Sequence, residues 1–134
     1  PDPAVHVPAA IAWTTWEATI ITLRPDPAHV AAQAEPANAT AFARIENHFF
    51  VHEGWLAEGQ LLAGIDPIRD IPTVIVQGRY DICTPMMTAW DLHRAWPEAG
   101  LVIVDDAGHA ATEPGIQAAL VAATDGFSGA TARA

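Results

Sequence analysis

The hydrophobic positions follow one periodicity before about residue 65 and another after it. Before it, apolar residues recur at the helical spacing of three and four, first over residues 5–23. Pro25 ends that run, because proline cannot continue a helix. A second helix is predicted over 36–54, with Pro36 in its first turn, and a short third helix over 56–63. Residues 1–64 are therefore predicted to be helical, without strands.

After residue 65 the pattern alternates between strand and helix. The segment 73–77 is short, rich in β-branched residues and bounded by Pro72 and Gly78, which predicts a buried strand. A helix over 85–96, a second buried strand over 101–104 and a helix over 113–124 follow, whereas the small, polar tail 126–134 is predicted to fray. Such an order predicts an α/β fold with parallel strands, whose ligands gather at the carboxyl ends of the strands.

Composition narrows the classes of function. Hydrophobic residues make up 51% of the 134 positions, so the chain has a core to bury. The net charge of −10 argues against nucleic acid and anionic membrane as partners, since both attract clustered cationic side chains. The single cysteine, Cys83, cannot form an internal disulfide, and we expect a reducing, cytoplasmic compartment. The start at Pro1 resembles neither a signal peptide nor an initiator methionine, and we expect it to be an interior position of a longer chain.

Two residues of catalytic type follow the two predicted strands. Asp81 comes after the first strand and His109 after the second, the order that the acid and base of an α/β-hydrolase take after their nucleophilic serine. A carboxylate that orients an imidazole makes it an effective base. Read singly, Asp81 could instead cap the helix that follows it, and His109 could be an ordinary loop residue. Asp105 and Asp106 compete for the acid role but precede His109 on its own loop, and we expect them to shape that turn.

The nucleophile is the missing member of this set. The single serine of the chain, Ser128, comes nineteen positions after His109. Its surroundings lack the last glycine of the G-x-S-x-G motif and the strand and helix that flank it, so we do not assign it as the nucleophile. A complete α/β-hydrolase sheet also needs about 250 residues. We expect the isolated chain to be inactive.

Several motifs resemble the C-terminal half of the proline iminopeptidases, a family of serine peptidases in the α/β-hydrolase superfamily. They are Gly78-Arg-Tyr-Asp81, Ala89-Trp-Asp-Leu-His93, Trp96-Pro-Glu-Ala99, Ala107-Gly-His109, Trp13-Thr-Thr-Trp-Glu17 and Ala43-Arg-Ile-Glu-Asn-His-Phe-Phe50. The resemblance implies a helical cap portion over 1–64 and the C-terminal part of the hydrolase core over 65–134. It also implies that a missing N-terminal half carries the serine, and that the substrate is a peptide with a free N-terminal proline.

The same resemblance assigns roles to five residues. Asp81 and His109 would be the catalytic acid and base, Glu17 and Glu46 would hold the amine of the substrate, and Cys83 would line its pocket. Two carboxylates suit a protonated amine and would reject a blocked one, because both would then be left unpaired. By pattern alone, Glu17 could equally lie on a solvated helix face and Glu46 could pair with a cation.

The sequence also allows other interpretations. His48 and His52 are four apart, as in some zinc sites, but the H-E-x-x-H order and a third ligand are missing, so we predict no metal and no cofactor. Within the superfamily, another cap-bearing hydrolase such as an esterase or an epoxide hydrolase is the alternative. A non-catalytic subunit or binding fragment is the alternative from a different class.

Overall fold

The computed structural model describes residues 2–131 of the chain. The fold has two compact units. One contains the residues up to Ile20 together with Arg24–Glu58, and the other contains Ile21–Leu23 together with the chain from Gly59 onward. The first unit thus ends six positions before the boundary expected at residue 64, and its assignment as a cap portion remains a prediction.

The first unit is helical. Its elements are α1 (Pro3–Ile20), α2 (Pro27–Gln33), α3 (Pro36–Val51) and a 3-10 turn at Glu53–Trp55. Helix α1 packs on α3 through small side chains, since the buried cluster consists of Ala10, Ala39 and Ala43 with Ile11 and Trp13 against it. Alanine at these positions lets the two helix backbones approach closely.

Helix α2 was not predicted from the sequence. Pro25 and Pro27 suggested only an end to the first helix, which indeed stops at Ile20. Asp26, however, caps α2, and its Oδ1 accepts the backbone N–H of His29 at 2.9 Å. An aspartate followed by a proline can cap the start of a new helix as well as follow the end of the previous one. Only the end of the previous helix was predicted from the sequence.

The second unit is built on two parallel strands. It contains α4 (Gln60–Ala63), a 3-10 turn (Asp66–Ile68), β1 (Val74–Gly78), α5 (Met86–Ala95), β2 (Gly100–Val104) and α6 (Pro114–Thr131). The register of β1 and β2 runs from Val74 opposite Gly100 to Gly78 opposite Val104. This confirms the predicted α/β class and the parallel pairing.

The two faces of the sheet carry different clusters. Ile75 packs with Trp96 and its neighbours from the end of α5, whereas Val76 packs with Val104 and with Ile116 of α6. Successive strand residues point to opposite faces, so α5 and α6 cover opposite faces of the sheet.

Three local predictions were wrong. The third helix spans only Gln60–Ala63, because Gly59 adopts a left-handed φ of 71° just before it. The strands are half-buried rather than buried: positions 74–77 are all intermediate, and Val102 is 40% exposed. Within residues 2–131 the sheet has two strands, so each has an edge without a neighbouring strand.

The third wrong prediction concerns the tail. Helix α6 continues to Thr131 instead of ending near residue 124, because adding residues to an existing helix is far easier than starting one. Residues 132–134 of the expected frayed tail lie outside the described part. None of the helices within residues 2–131 combines the length and the apolar content needed to cross a bilayer.

Candidate active site

The loops that follow β1 and β2 run directly against each other. Tyr80 donates its backbone N–H to the carbonyl of Ala107 at 3.0 Å, and Arg79 donates to Val104 at 2.9 Å. A Cβ on Gly78 would lie 1.9 Å from the carbonyl oxygen of Gly108, so only glycine allows this approach. The end of β1 is therefore held against the residue that precedes His109.

Asp81 is buried and saturated with hydrogen bonds. Its Oδ1 accepts the backbone N–H groups of Cys83 at 2.9 Å and Thr84 at 2.8 Å, which form a tight turn around the carboxylate. Its Oδ2 accepts the Thr84 hydroxyl at 2.8 Å and the Gln77 amide at 3.1 Å. The backbone N–H groups of the turn are therefore both bound by Oδ1, which leaves Oδ2 for side-chain partners.

His109 completes the pair. Its Nδ1 lies 2.9 Å from Asp81 Oδ2 and 3.3 Å from the Thr84 hydroxyl. An ionised carboxylate only accepts hydrogen bonds, so Nδ1 carries the hydrogen and a neutral ring keeps its lone pair on Nε2. The side chain of His109 is 41% exposed, whereas that of Asp81 is 5% exposed. An exposed imidazole thus has a buried carboxylate on its Nδ1 side, the arrangement that a general base with an orienting acid would require.

The backbone around His109 is fixed from two directions. Glu113 accepts the backbone N–H of Gly108 at 2.7 Å and that of Leu23 at 3.1 Å. Ile21 offers its carbonyl to the N–H groups of His109 and Ala110, at 2.9 and 2.8 Å. Segment 21–23 was predicted to be the end of the first helix, but it lies here instead, because its carbonyl and N–H groups pair with the His109 loop.

Sequence reasoning missed three supporting residues: Gln77, Thr84 and Glu113. A signal existed for two of them. Thr84 lies three positions after an aspartate and directly before a proline, the spacing of an aspartate-centred turn, and Glu113 immediately precedes the proline that opens α6. Gln77 gave no comparable signal, because a glutamine near the end of a strand has no typical partner, although its amide donates to Asp81 only four positions later.

The pKa of Asp81 reflects two opposing effects. Burial raises it, but the backbone hydrogen bond from Thr84, the contact with His109 and the Thr84 hydroxyl lower it, and the pKa ends below its ordinary value of 3.8. The carboxylate form is therefore the one that the folded chain stabilises.

This shift has a direct consequence for acid stability. A carboxyl group with a depressed folded pKa stabilises the fold fully above its unfolded pKa, and the contribution is lost as the pH falls through the lower, folded pKa. We expect the free energy of unfolding lost in Asp81→Asn to shrink as the pH drops below 3.8. Urea unfolding from pH 6 to 2 would measure it, with the exposed Asp106→Asn as control. A difference that grows on acidification would contradict the assignment.

The competing acids have other positions. Asp105 pairs with Arg79, with 2.5 Å between Oδ1 and Nη2, and its side chain is 78% exposed. Asp106 is also exposed. It is Asp81 that contacts His109.

Glu46, in the first unit, accepts a hydrogen bond from the indole nitrogen of Trp13. This contact joins α3 to α1, and Glu46 is only partly exposed. Glu17, four positions after Trp13 on α1, lies on the helix face that carries the indole and is half-buried. Glu46 thus contacts the indole of Trp13, whereas Glu17 shares a helix face with it. The amine-binding role of both acids stays a prediction.

The other candidate residues, Cys83, Ser128 and the pair His48 and His52, lie in different places. Cys83 is half-buried beside the pair, and its sulfur and the ligand atoms of Asp81 and His109 all lie within 4.8 Å of one another. Ser128 lies inside α6 and donates its hydroxyl to the carbonyl of Asp125 at 2.8 Å. His48 and His52 have ring centroids 4.7 Å apart.

An acid and a histidine after adjacent parallel strands, with helices on both faces of the sheet, define an α/β-hydrolase core. The family model that matches is that of the TAP-like proteins, over residues 53–127, more than half of the chain. The chain therefore belongs to this family of α/β-hydrolases.

Curated relatives are closely similar over nearly the whole chain. A proline iminopeptidase of Arabidopsis thaliana is 54% identical over 125 residues, covering 92% of this chain and 33% of the relative. Proline iminopeptidase of Xylella fastidiosa strain Temecula1 is 50% identical and a probable proline iminopeptidase of Leptolyngbya boryana 49%, each over 127 residues. These cover 94% of this chain and 41% and 40% of the relatives. The predicted resemblance is confirmed, and the chain spans about a third to two fifths of the relatives' length.

Proposed function

We propose that this chain supplies the acid and base of a serine-dependent aminopeptidase that releases N-terminal proline from peptides. The observation that carries the proposal is the 2.9 Å contact between His109 Nδ1 and Asp81 Oδ2 at the ends of two parallel strands. The names of the similar proteins, proline iminopeptidases, support the choice of substrate.

The proposed chemistry needs a serine from a segment outside this chain. His109 Nε2 takes the proton of that serine as its oxygen attacks the carbonyl carbon of the N-terminal proline. The resulting imidazolium is stabilised by Asp81 and returns the proton to the departing amine, which leaves a prolyl ester on the serine. Water then attacks the prolyl ester while His109 takes its proton. His109 returns this proton to the serine oxygen as the ester bond breaks, and free proline is released. Every step is a proton transfer or an acyl transfer, so no cofactor is required.

Selectivity for a free N-terminus rests, in this proposal, on Glu17 and Glu46. The secondary amine of an N-terminal proline is protonated near neutral pH, and carboxylates would bind it by charge-assisted hydrogen bonds. The indole N–H of Trp13 already holds one oxygen of Glu46, which orients the other. Cys83 would line the substrate pocket beside His109.

The exposed apolar surface of this chain supports the proposed partner, which is an N-terminal half that completes the hydrolase. Large hydrophobic side chains are exposed on α3 and α6, among them Ile45, Phe50 and Val121 at 63%, 57% and 53%. Exposed apolar surface on this scale is typical of faces that another segment covers.

A chimera tests the proposal. The segment of the Xylella fastidiosa relative that precedes its match to this chain would be joined before Pro1, and hydrolysis of a proline arylamide would be compared with that by the 134-residue chain alone. We expect the chimera to turn over the arylamide and the chain alone to show no activity. A serine-directed inhibitor should abolish the turnover.

Three substrates separate the proposal from its rivals. N-acetylproline arylamide, a simple acyl ester and an epoxide should all be poorer substrates of the chimera than proline arylamide. Preference for the ester or the epoxide would show a different hydrolase. If the isolated chain is active and Ser128→Ala removes that activity, the proposal that the nucleophilic serine comes from outside this chain is wrong.

A further inference from the structure

The side chains around the acid and base include a third metal-ligating group. Among residues 2–131, Asp81, Cys83 and His109 are the one group of three acid, thiol or imidazole side chains whose ligand atoms lie within 4.8 Å of one another. They differ in burial: Asp81 is buried, Cys83 is half-buried and His109 is exposed. An ion can therefore reach the group from the side of His109.

We propose that Asp81, Cys83 and His109 form a reversible zinc site, which disables the base when it is filled. The inhibitory part of this inference rests on the proposed function, whereas the binding itself does not. Hydrolysis needs no metal, so the ion acts here as an inhibitor that competes for the catalytic pair.

The donor set favours zinc over hard cations. A thiolate, an imidazole and a carboxylate are the three ligand types that Zn²⁺ accepts, and three protein ligands with water in a fourth position make an exchangeable site rather than a closed structural one. Mg²⁺ and Ca²⁺ prefer sites made of oxygen donors alone. The sulfur of Cys83 is therefore the atom that decides the selectivity.

The geometry needs only small movements. Ligand atoms on one tetrahedral zinc ion lie roughly 3.3–3.8 Å apart, given bonds of about 2.0 to 2.3 Å. Here all three ligand atoms lie within 4.8 Å of one another, and Nδ1 of His109 is 2.9 Å from Oδ2 of Asp81. The backbone N–H groups of Cys83 and Thr84 hold Asp81 through Oδ1. Its other oxygen, Oδ2, meets His109, Gln77 and the Thr84 hydroxyl, and it would exchange its contact with His109 for one with the ion.

Binding is a Lewis acid–base step without oxidation or reduction. Cys83 releases its thiol proton to solvent, and its sulfur donates an electron pair to the ion. The hydrogen on Nδ1 of His109 moves through solvent to Nε2, so that Nδ1, which lies beside Asp81, donates a second pair and Asp81 a third. The ring stays neutral, but Nε2 now carries the hydrogen and can no longer act as the base. Since protons compete with the metal for the thiolate and the imidazole, the affinity should rise with pH.

Cobalt offers a readout that does not depend on activity. Cys83 is the single cysteine of the chain, so a thiolate-to-cobalt charge-transfer band on titration with Co²⁺ can arise only from it. We expect one ion per chain, displaced by Zn²⁺. The band should be lost in Cys83→Ser and strongly weakened in His109→Ala and Asp81→Asn. The double variant His48→Ala/His52→Ala, which removes the other close histidine pair, is the matched control and should keep the band.

Zinc inhibition of the chimera is the second measurement, expressed for each variant as the ratio of activity with and without Zn²⁺. In Cys83→Ser the Zn²⁺ concentration that inhibits should rise by at least about 10- to 100-fold. Losing a residue that merely hydrogen-bonds to a metal ligand already costs this much affinity, and Cys83 would be a ligand itself. The double histidine control should match the parent. An inactive chimera would defeat the proposed function and leave the cobalt result standing. No Cys83-dependent band in either the chain or the chimera, or one that His109→Ala leaves unchanged, would overturn the zinc site.

Discussion

Replacing His109 by alanine in the chimera is expected to lower the turnover of proline arylamide by about three to four orders of magnitude, because the general base is then absent. Asp81→Asn should cost about as much. An asparagine can donate a hydrogen bond to Nδ1, which would place the ring hydrogen on Nε2, where the lone pair is needed. The measurement is kcat for each variant at saturating substrate.

The double variant tests whether the two residues act as one unit. Members of a catalytic triad are strongly non-additive, so His109→Ala/Asp81→Asn should be little worse than either single change. Asp105→Asn and Asp106→Asn are the matched controls, since both remove an exposed carboxylate close to the same loop. Additive losses, or a large loss in either control with activity retained in Asp81→Asn, would move the acid role away from Asp81.

The second large effect is expected at the amine site. Glu46→Gln and Glu17→Gln should each remove a charge-assisted hydrogen bond worth about 1.5–3 kcal/mol, and so lower kcat/KM for a free-amine proline substrate by about 10- to 150-fold. A proline ester with a blocked amine should lose far less, because it makes no such contact. Glu58→Gln, at an exposed position, is the charge-matched control.

The difference between the two substrates is what identifies the role. Equal losses on the free and the blocked substrate would show that the carboxylates are structural. Trp13→Phe adds a separate check, since it removes the indole N–H that Glu46 accepts and keeps most of the ring. Its effect should have the same direction as that of Glu46→Gln and be smaller.

Much of the architecture could be read from the sequence because local patterns decide it. The β-branched run before Gly78 and the apolar run after Gly100 predicted two parallel strands, and both formed within a residue of the expected bounds. Prolines marked the starts of α3 and α6. The errors came where one residue carries two signals, as at Asp26, or where a glycine with a left-handed φ interrupts an apolar run, as at Gly59.

The sequence by itself determined the α/β class, the parallel strand pair and the choice of Asp81 and His109 as candidates. It did so because strand periodicity and the position of a residue after a strand are local properties of the chain. It could not place the atoms that hold these two residues. The contact of Glu113 with Leu23 joins residues 90 positions apart, and such separation leaves no local pattern.

Only the tertiary structure decided which atoms the candidate residues contact. It assigned one oxygen of Asp81 to the turn and the other to His109, and it brought Cys83 close to both. It also set Glu46 against Trp13 across two helices. Hydrogen-bond direction, burial and metal-ligand spacing depend on positions to within a fraction of an ångström, and those positions are fixed by packing between distant segments.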